Sequence, residues 1–277
     1  MQVIKTIPEM KRQRLKLIEP VGFVATMGYL HQGHLALVRQ ARMENNSLVV
    51  SIFVNPTQFG ISEDFERYPR NLERDLSLLQ KEDVDLVFVP STREMYPPRF
   101  SSRVEVDNLT QRLEGDSRPE HLSGVTTIVT KLFNIIQPTK SYFGQKDAQQ
   151  AIVIKKMVDE LNINLKVIIL PTVREPDGLA MSSRNNYLRP KERQAALVLY
   201  KSLILAKKLR QHGEKDANII RQEMARLIRK EPIAAIDYIS VADLNTLEEL
   251  EEIEQPVLVS LAVEIGEARL IDNMILN

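Results

Sequence analysis

Residues 21–38 read VGFVATMGYLHQGHLALV, and this stretch says most about the fold. Its first part, VGFVAT, is an apolar and partly β-branched run that reaches a glycine at Gly28, and a helical pattern sets in near Gly33. Such a pattern is a strand that turns at the glycine and feeds a helix. His31 and His34 stand three apart where the helix begins, so both project from one side of its first turn. The first backbone N–H groups of a helix have no partner inside it, and the positive end of its dipole points the same way. The combination suits a phosphate.

Three other readings of the histidines compete. A lone histidine is most often a surface or satisfied core residue, but here two share one face. His-x-x-His spacing can also put two nitrogens on zinc, yet the chain has no cysteine, and no carboxylate lies nearby until Glu44. A dinucleotide-binding turn is the third, but Gly28 and Gly33 do not follow the G-x-G-x-x-G spacing. Phosphate ranks first.

The whole chain of 277 residues is long enough for one large or two modest domains. Lysine plus arginine (37) equals aspartate plus glutamate (37), so no global field favours nucleic acid or an acidic membrane, and a small-molecule substrate is expected. With 43% hydrophobic and 27% charged residues the chain is neither disordered nor membrane-spanning in character. The start, MQVIKTIPEMKRQRLKL, has no apolar core of the kind a signal peptide carries. The absence of cysteine removes disulfides, thiol catalysis and thiolate metals, and accords with a reducing cytoplasm.

Working outward, residues 5–17 have a short helical look with a solvated basic face. LVVSIFV at 48–54 is the unbroken apolar run of a strand covered on both faces, and it ends in Asn55, Pro56, Thr57, Gln58 and Phe59. Ligands gather beyond the carboxyl ends of parallel strands, which would put Asn55 and Gln58 at substrate; an ordinary polar turn is an equal alternative. A helical period follows at 68–81 and a strand at 85–89. Residues 91–120 are rich in proline, serine and charge, too irregular for core, and read as a loop or flap. A helix at 121–136, a strand at 141–143 ending in Gly144, a helix at 148–161 and a strand at 165–170 close the series.

Five strands alternating with helices predict an α/β fold with a doubly wound, Rossmann-like parallel sheet. After Pro171 the pattern changes to helices at 191–211 and 216–230 and then strands at 236–241, 257–263 and 268–274. The expected division is a Rossmann-like domain at 1–172 and a smaller C-terminal α+β domain at 173–277.

Lys146, just beyond a strand, is a cation able to neutralise phosphate charge, with Asp147 to orient it or to bind a ribose hydroxyl, although Lys-Asp pairs are also common at exposed turns. Met181, Ser182, Ser183 and Arg184 lie in the join between domains, where two hydroxyls and a guanidinium suit outer phosphates; a solvated hinge is the simpler reading of that segment taken singly. Convergence favours phosphate, since the histidine pair, Lys146 and the Ser-Ser-Arg segment all suit one polyphosphate. No Ser-His-Asp arrangement and no acid pair spaced for sugar cleavage can be defended. Glu73 and Asp75, on a helix with Arg70 and Arg74, read as surface charge more readily than as magnesium ligands.

Four segments, TMGYLHQGH, FVNPTQF, YFGQKDAQQ and DGLAMSSRN, in this order and at these distances, closely resemble the pantothenate synthetase (pantoate–β-alanine ligase) family. The likeness covers essentially the whole chain. The family lies in the nucleotidyltransferase superfamily, whose adenylate-forming members share HIGH-like and KMSKS-like signatures, roles that HQGH (31–34) and MSSR (181–184) would fill.

The resemblance implies an ATP-dependent ligase that condenses (R)-pantoate with β-alanine through a pantoyl adenylate, releasing AMP and pyrophosphate. It further implies Mg2+ and a homodimer, while the charge balance and the absence of cysteine set the expectation of a cytoplasmic protein with no nucleic-acid or membrane partner. By the same resemblance His34 acts at the α-phosphate as a proton donor, with His31 beside it and Lys146 as the third catalytic residue. ATP would be lined by Met27, Gly28, Tyr29, Leu30, His31, Gln32, Gly33 and His34, and by Gly144, Gln145, Lys146 and Asp147. Val173, Met181, Ser182, Ser183 and Arg184 would complete that lining, with the C-terminal domain as a lid. Gln58 and Gln150 would hold pantoate, Gln58 also lying near β-alanine, with Tyr68 and Arg118 contributing. No protein ligand of magnesium is assigned. Gln32 and HLSGV (121–125) depart from the family's more usual glutamate and HFRGV. The alternative is a nucleotidyltransferase that moves AMP onto a phosphorylated acceptor, which would not need the Gln58 and Gln150 pair. An RNA-binding relative of the tRNA synthetases is opposed by the charge balance and by the lack of an anticodon-sized appendage.

Overall fold

Six strands form one parallel sheet in the computed structural model, which describes residues 1–60 and 64–277. They are β1 (Gln2–Ile4), β2 (Val21–Thr26), β3 (Ser47–Ile52), β4 (Leu86–Phe88), β5 (Lys140–Gly144) and β6 (Lys166–Leu170), in the order β1-β4-β3-β2-β5-β6. The helices along this part of the chain are α1 (Ile7–Arg14), α2 (Gln32–Glu44), α3 (Leu72–Lys81), α4 (Thr92–Met95), α5 (Glu114–Ser117), α6 (His121–Ile136) and α7 (Ala148–Glu160). From β2 the chain runs to β3 and β4 on one side, then returns to place β5 and β6 on the other, so the direction of winding reverses between β2 and β5. The doubly wound α/β reading of the sequence therefore holds.

The apolar run of the opening stretch becomes β2 because its neighbours bury both faces. Every residue of β3 is buried, and β2 is nearly so. Val24, Val38, Leu48, Val50, Leu79 and Val87 share one core cluster. The edge strand β1 went unread in the sequence, since three residues are too few for a period to show. The 91–120 stretch corrects a second expectation. It is irregular, as read, but Met95, Val106 and Leu109 are buried, so part of it is core. A helix dense in large apolar side chains gives it that anchor: Val104 N–H donates to Thr127 Oγ1 at 3.0 Å, and the Thr126 hydroxyl donates to the Val104 carbonyl.

The C-terminal part carries α8 (Pro190–Ala195), α9 (Leu197–Gln211) and α10 (Ala217–Ile228), followed by β7 (Ala234–Asp243), β8 (Val257–Ile265) and β9 (Ala268–Leu276) in an antiparallel sheet ordered β7-β8-β9. Val257, Val259, Leu261, Val263 and Ile265, alternate residues of β8, join Leu199, Leu203, Ile220 and Met224 of α9 and α10 in one core. The single helix expected at 191–211 is two, α8 and α9, meeting at Ala196.

The chain divides into two compact units, one of residues 1–144 and 153–171 and the other of residues 145–152 and 172–277. The expected domain at 1–172 is thus not continuous. Residues 145–152 go with the second unit because the buried Asn273 of β9 donates its amide to the carbonyls of Gln145 (2.8 Å) and Lys146 (2.9 Å). No such long-range partner can be seen from the sequence around Lys146. No helix among the described residues is long and apolar enough to cross a membrane.

Candidate active site

In the first unit the histidine turn is held mainly by side chains that bond to its backbone. Phe53 N–H extends the ladder to the carbonyl of Thr26, and the Thr26 hydroxyl donates to the Ser51 carbonyl at 2.7 Å while accepting the N–H of Gly28. The chain then reverses through Gly28 at φ 84° and Tyr29 at φ 51°. Glycine is needed at the first position, since a Cβ there would approach Ile52 Cγ2 at 3.0 Å and Asp75 Oδ2 at 3.1 Å.

His31 is the N-cap of α2, in extended conformation, and its Nδ1 accepts the Gly33 N–H at 3.1 Å. His34 Nδ1 in turn accepts the His31 N–H at 3.3 Å, which closes a reciprocal capping box made of two imidazoles. The rings lie 4.0 Å apart between centroids, tilted by 36°. A nitrogen that accepts a backbone N–H carries no proton, so each neutral ring holds its proton on Nε2 as a donor. Two N–H donors at the head of a long helix form an arrangement able to receive an anion.

Asp75 overturns the reading of this residue as surface charge. It is 1% exposed, and its two carboxylate oxygens accept the N–H groups of Tyr29 (2.7 Å) and Leu30 (2.8 Å). A signal for this was present: Asp75 lies four residues before Leu79 and next to Leu76, on the apolar face of α3. Next to it a cavity of about 290 Å³ opens beyond β2, β3 and β4, lined among others by Met27, Phe53, Arg70, Asn71 and Ser91.

Gln58 is buried in a 3-10 turn, Pro56–Gln58, just after β3. Its carbonyl accepts from Arg118 Nη2 at 3.2 Å and from His121 Nδ1 at 2.9 Å. Helix α6 reaches this turn because residue 124 is glycine: a Cβ there would lie 2.3 Å from the Thr57 carbonyl oxygen. Asn55 Nδ2 donates to the Gly124 carbonyl at 3.1 Å, while Asn55 Oδ1 accepts from Thr57 Oγ1 and from the Tyr96 hydroxyl at 2.8 Å. Burial pushes the Tyr96 phenol above its usual pKa, which keeps it a donor. Lys131, 4.4 Å above the Phe100 ring, is held below the usual lysine range by desolvation. Tyr68 is buried against Phe59, with ring centroids 5.9 Å apart. The sequence alone gives no role to His121 and Gly124 of HLSGV or to Tyr96, because no local pattern tells that 121–124 and 55–58 meet.

In the second unit Gln145–Asp147 is a 3-10 turn, and Lys146 Nζ donates to Asp147 Oδ1 at 3.2 Å. Gln150 follows on the first turns of α7. Met181 N–H donates to the Val173 carbonyl at 3.0 Å, and Ser182 caps the 3-10 turn Ser183–Tyr187 by accepting the Arg184 N–H. These bring Val173 and residues 181–184 together. Next in the chain, Arg174 forms a two-pronged pair with the buried Asp272, at 2.7 and 2.9 Å, and stacks on Tyr200. Burial raises the Asp272 pKa above the usual carboxylate range, against the lowering pull of Arg174.

A family model described as pantoate–β-alanine ligase matches residues 2–275. The chain belongs to that family. It is similar over its full length to curated proteins named pantothenate synthetase, 56% identical to one from Thermotoga petrophila (100% of both chains) and 55% to one from Acetivibrio thermocellus (99% of both). Among solved structures, a pantothenate synthetase from Thermus thermophilus superposes with a TM-score of 0.95 at 46% identity, covering 99% of each chain. A pantoate–β-alanine ligase from Francisella tularensis, complexed with β-γ ATP and β-alanine, gives 0.82 at 37%, covering 99% of this chain and 97% of that one. Within the pantoate–β-alanine ligase family, the resemblance drawn from the four sequence segments thus holds over the whole fold.

Proposed function

We propose that the protein condenses (R)-pantoate with β-alanine at the expense of ATP, giving pantothenate, AMP and pyrophosphate. Membership of the pantoate–β-alanine ligase family over residues 2–275 carries the reading. The imidazole capping box at the head of α2 supports its chemistry.

A carboxylate is a poor electrophile, because an amine cannot expel oxide from it. The pantoate carboxylate oxygen therefore attacks the α-phosphorus, the bond from that phosphorus to the bridging oxygen breaks, and pyrophosphate leaves with its electron pair. The neutral amine of β-alanine then attacks the acyl carbon of pantoyl adenylate, AMP departs, and the amine gives up a proton. Negative charge builds on phosphate oxygens in the first step, where N–H donors fixed in advance stabilise it most. His34 and His31, through Nε2–H, serve that charge as hydrogen-bond donors, and Lys146 adds a cation.

Residues 27–34, 144–147, Val173 and 181–184 serve ATP, and Gln58 and Gln150 serve pantoate, with Tyr68 and Arg118 contributing. The donors present do not build a magnesium cage, since no group of three or more metal-binding side chains occurs among the described residues. Magnesium then arrives on the nucleotide's own phosphates. We assign the protein to a homodimer on the same family grounds, and to the cytoplasm on its lack of cysteine.

The test mixes ATP, magnesium, D-pantoate and β-alanine and follows AMP. AMP that forms only with both acids present supports the reading; AMP that forms without pantoate, or never, overturns it.

A further inference from the structure

We propose that Asp75 is a positioning residue for the histidine pair: its buried carboxylate fixes the turn through which β2 delivers His31 and His34, without itself touching the nucleotide. The inference rests on the proposed role of that pair.

Three simpler roles for Asp75 fail. It is not surface charge, being 1% exposed. It does not cap its own helix, because Asn71 does so by accepting the Arg74 N–H. It belongs to no group of three or more metal-binding side chains among the described residues, and the cation beside it is the Arg74 guanidinium, 3.5 Å from Oδ1.

What remains is the turn itself. Tyr29 sits at φ 51°, a region that costs a residue with a side chain on the order of 1 kcal/mol. Two consecutive N–H groups, of Tyr29 and Leu30, face away from any ladder and need an acceptor each. A carboxylate offers an accepting oxygen to each, whereas an amide has one accepting atom and turns an NH2 donor toward the other N–H. The neighbouring residue of α3 also holds the turn, since the Arg74 guanidinium lies 5.3 Å from the Tyr29 ring centroid. The residue that follows, His31, opens the capping box. The placement of both imidazoles is therefore set two residues earlier, by a side chain from another helix. A donor displaced by an ångström loses much of its effect on a developing charge.

The experiment is a double-mutant cycle on the full chain, Asp75→Asn and His34→Ala singly and together. It is read by pantoate-dependent exchange of labelled pyrophosphate into ATP, with thermal melting as control. Positioning predicts that Asp75→Asn slows exchange about tenfold or more in the native background and less than about threefold beside His34→Ala, with the KM for β-alanine unchanged. Equal losses in both backgrounds, or no loss in the first, overturn the proposal. If His34→Ala alone leaves exchange intact, the role of the histidine pair falls and this proposal falls with it, an outcome distinct from equal losses. Should Asp75→Asn not fold, Asp75→Glu carries the test. It keeps two acceptors, and the adjoining cavity of about 290 Å³ has room for its extra methylene. A folded Asp75→Glu with exchange slowed at least about fivefold supports positioning, and a native rate overturns it.

Discussion

The two units support their motif residues in opposite ways. In the first, the motifs stand where parallel strands stop: the histidine turn after β2 and the Gln58 turn after β3. Backbone groups there have left the ladder, and side chains distant in sequence take them up, Asp75 of α3 at one turn and Arg118, just after α5, with His121 of α6 at the other. In the second unit the motifs lie on two short 3-10 turns, and the antiparallel sheet holds them through side chains of one strand, Asn273 behind Gln145 and Lys146 and Asp272 behind Arg174. Parallel strands must cross over to continue, so their ends are open sites; a meander closes each end with a hairpin and can offer only its faces.

The largest effect expected on this contrast is in the first unit. His34→Ala should lower pyrophosphate exchange by about 100-fold or more, the usual loss for one donor to a developing oxyanion. Its melting temperature should change little, since a lost cap costs about 1 kcal/mol. Normal exchange would remove His34 from the mechanism. Lys146→Ala, in the second unit, should raise the KM for ATP about tenfold, as the loss of one charged hydrogen bond does; unaltered ATP kinetics would strike it off.

Gly124→Ala tests whether α6 sets the Gln58 turn. The added methyl meets the Thr57 carbonyl at 2.3 Å, so the turn or the helix must shift. Overpacking of this kind costs about 1–3 kcal/mol, and the KM for pantoate should rise with it. Destabilisation with an unchanged pantoate KM would separate packing from substrate placement. Asn273→Ala tests the second unit's support by depriving the carbonyls of Gln145 and Lys146 of a donor, at about 1–3 kcal/mol in a urea melt. No change would mean that the 3-10 turn stands without the sheet.

The smallest effect is a pH dependence. Backbone N–H groups of Thr246 and Asn245 hold Asp243 below the usual carboxylate range. A carboxylate depressed in the folded state contributes stability that is full above its unfolded value and lost as pH falls through the folded one. Asp243→Asn should therefore flatten the acid side of the urea-midpoint curve, and a curve identical to the native one would deny the contribution.

The strand, glycine, histidine pair and helix of residues 21–38 were legible because each is a local pattern: period, turn residue and spacing all lie within a few residues of one another. The same holds for α6 and for the three C-terminal strands, whose periods run over many residues. Asp75 was misread because a carboxylate among arginines on a helix looks solvated until its partners, 46 and 45 residues away, are known.

By itself the sequence determined the parallel α/β architecture, the family and the chemical types at each motif, since hydrophobic period and residue spacing act locally and survive without coordinates. Only tertiary structure decided which side chains hold those motifs still, Asp75 for the histidine turn and Arg118, His121 and Gly124 for Gln58, and that residues 145–152 go with the C-terminal sheet. Those contacts join residues far apart in the chain, and no local pattern records which of many possible partners a buried N–H or carbonyl will meet.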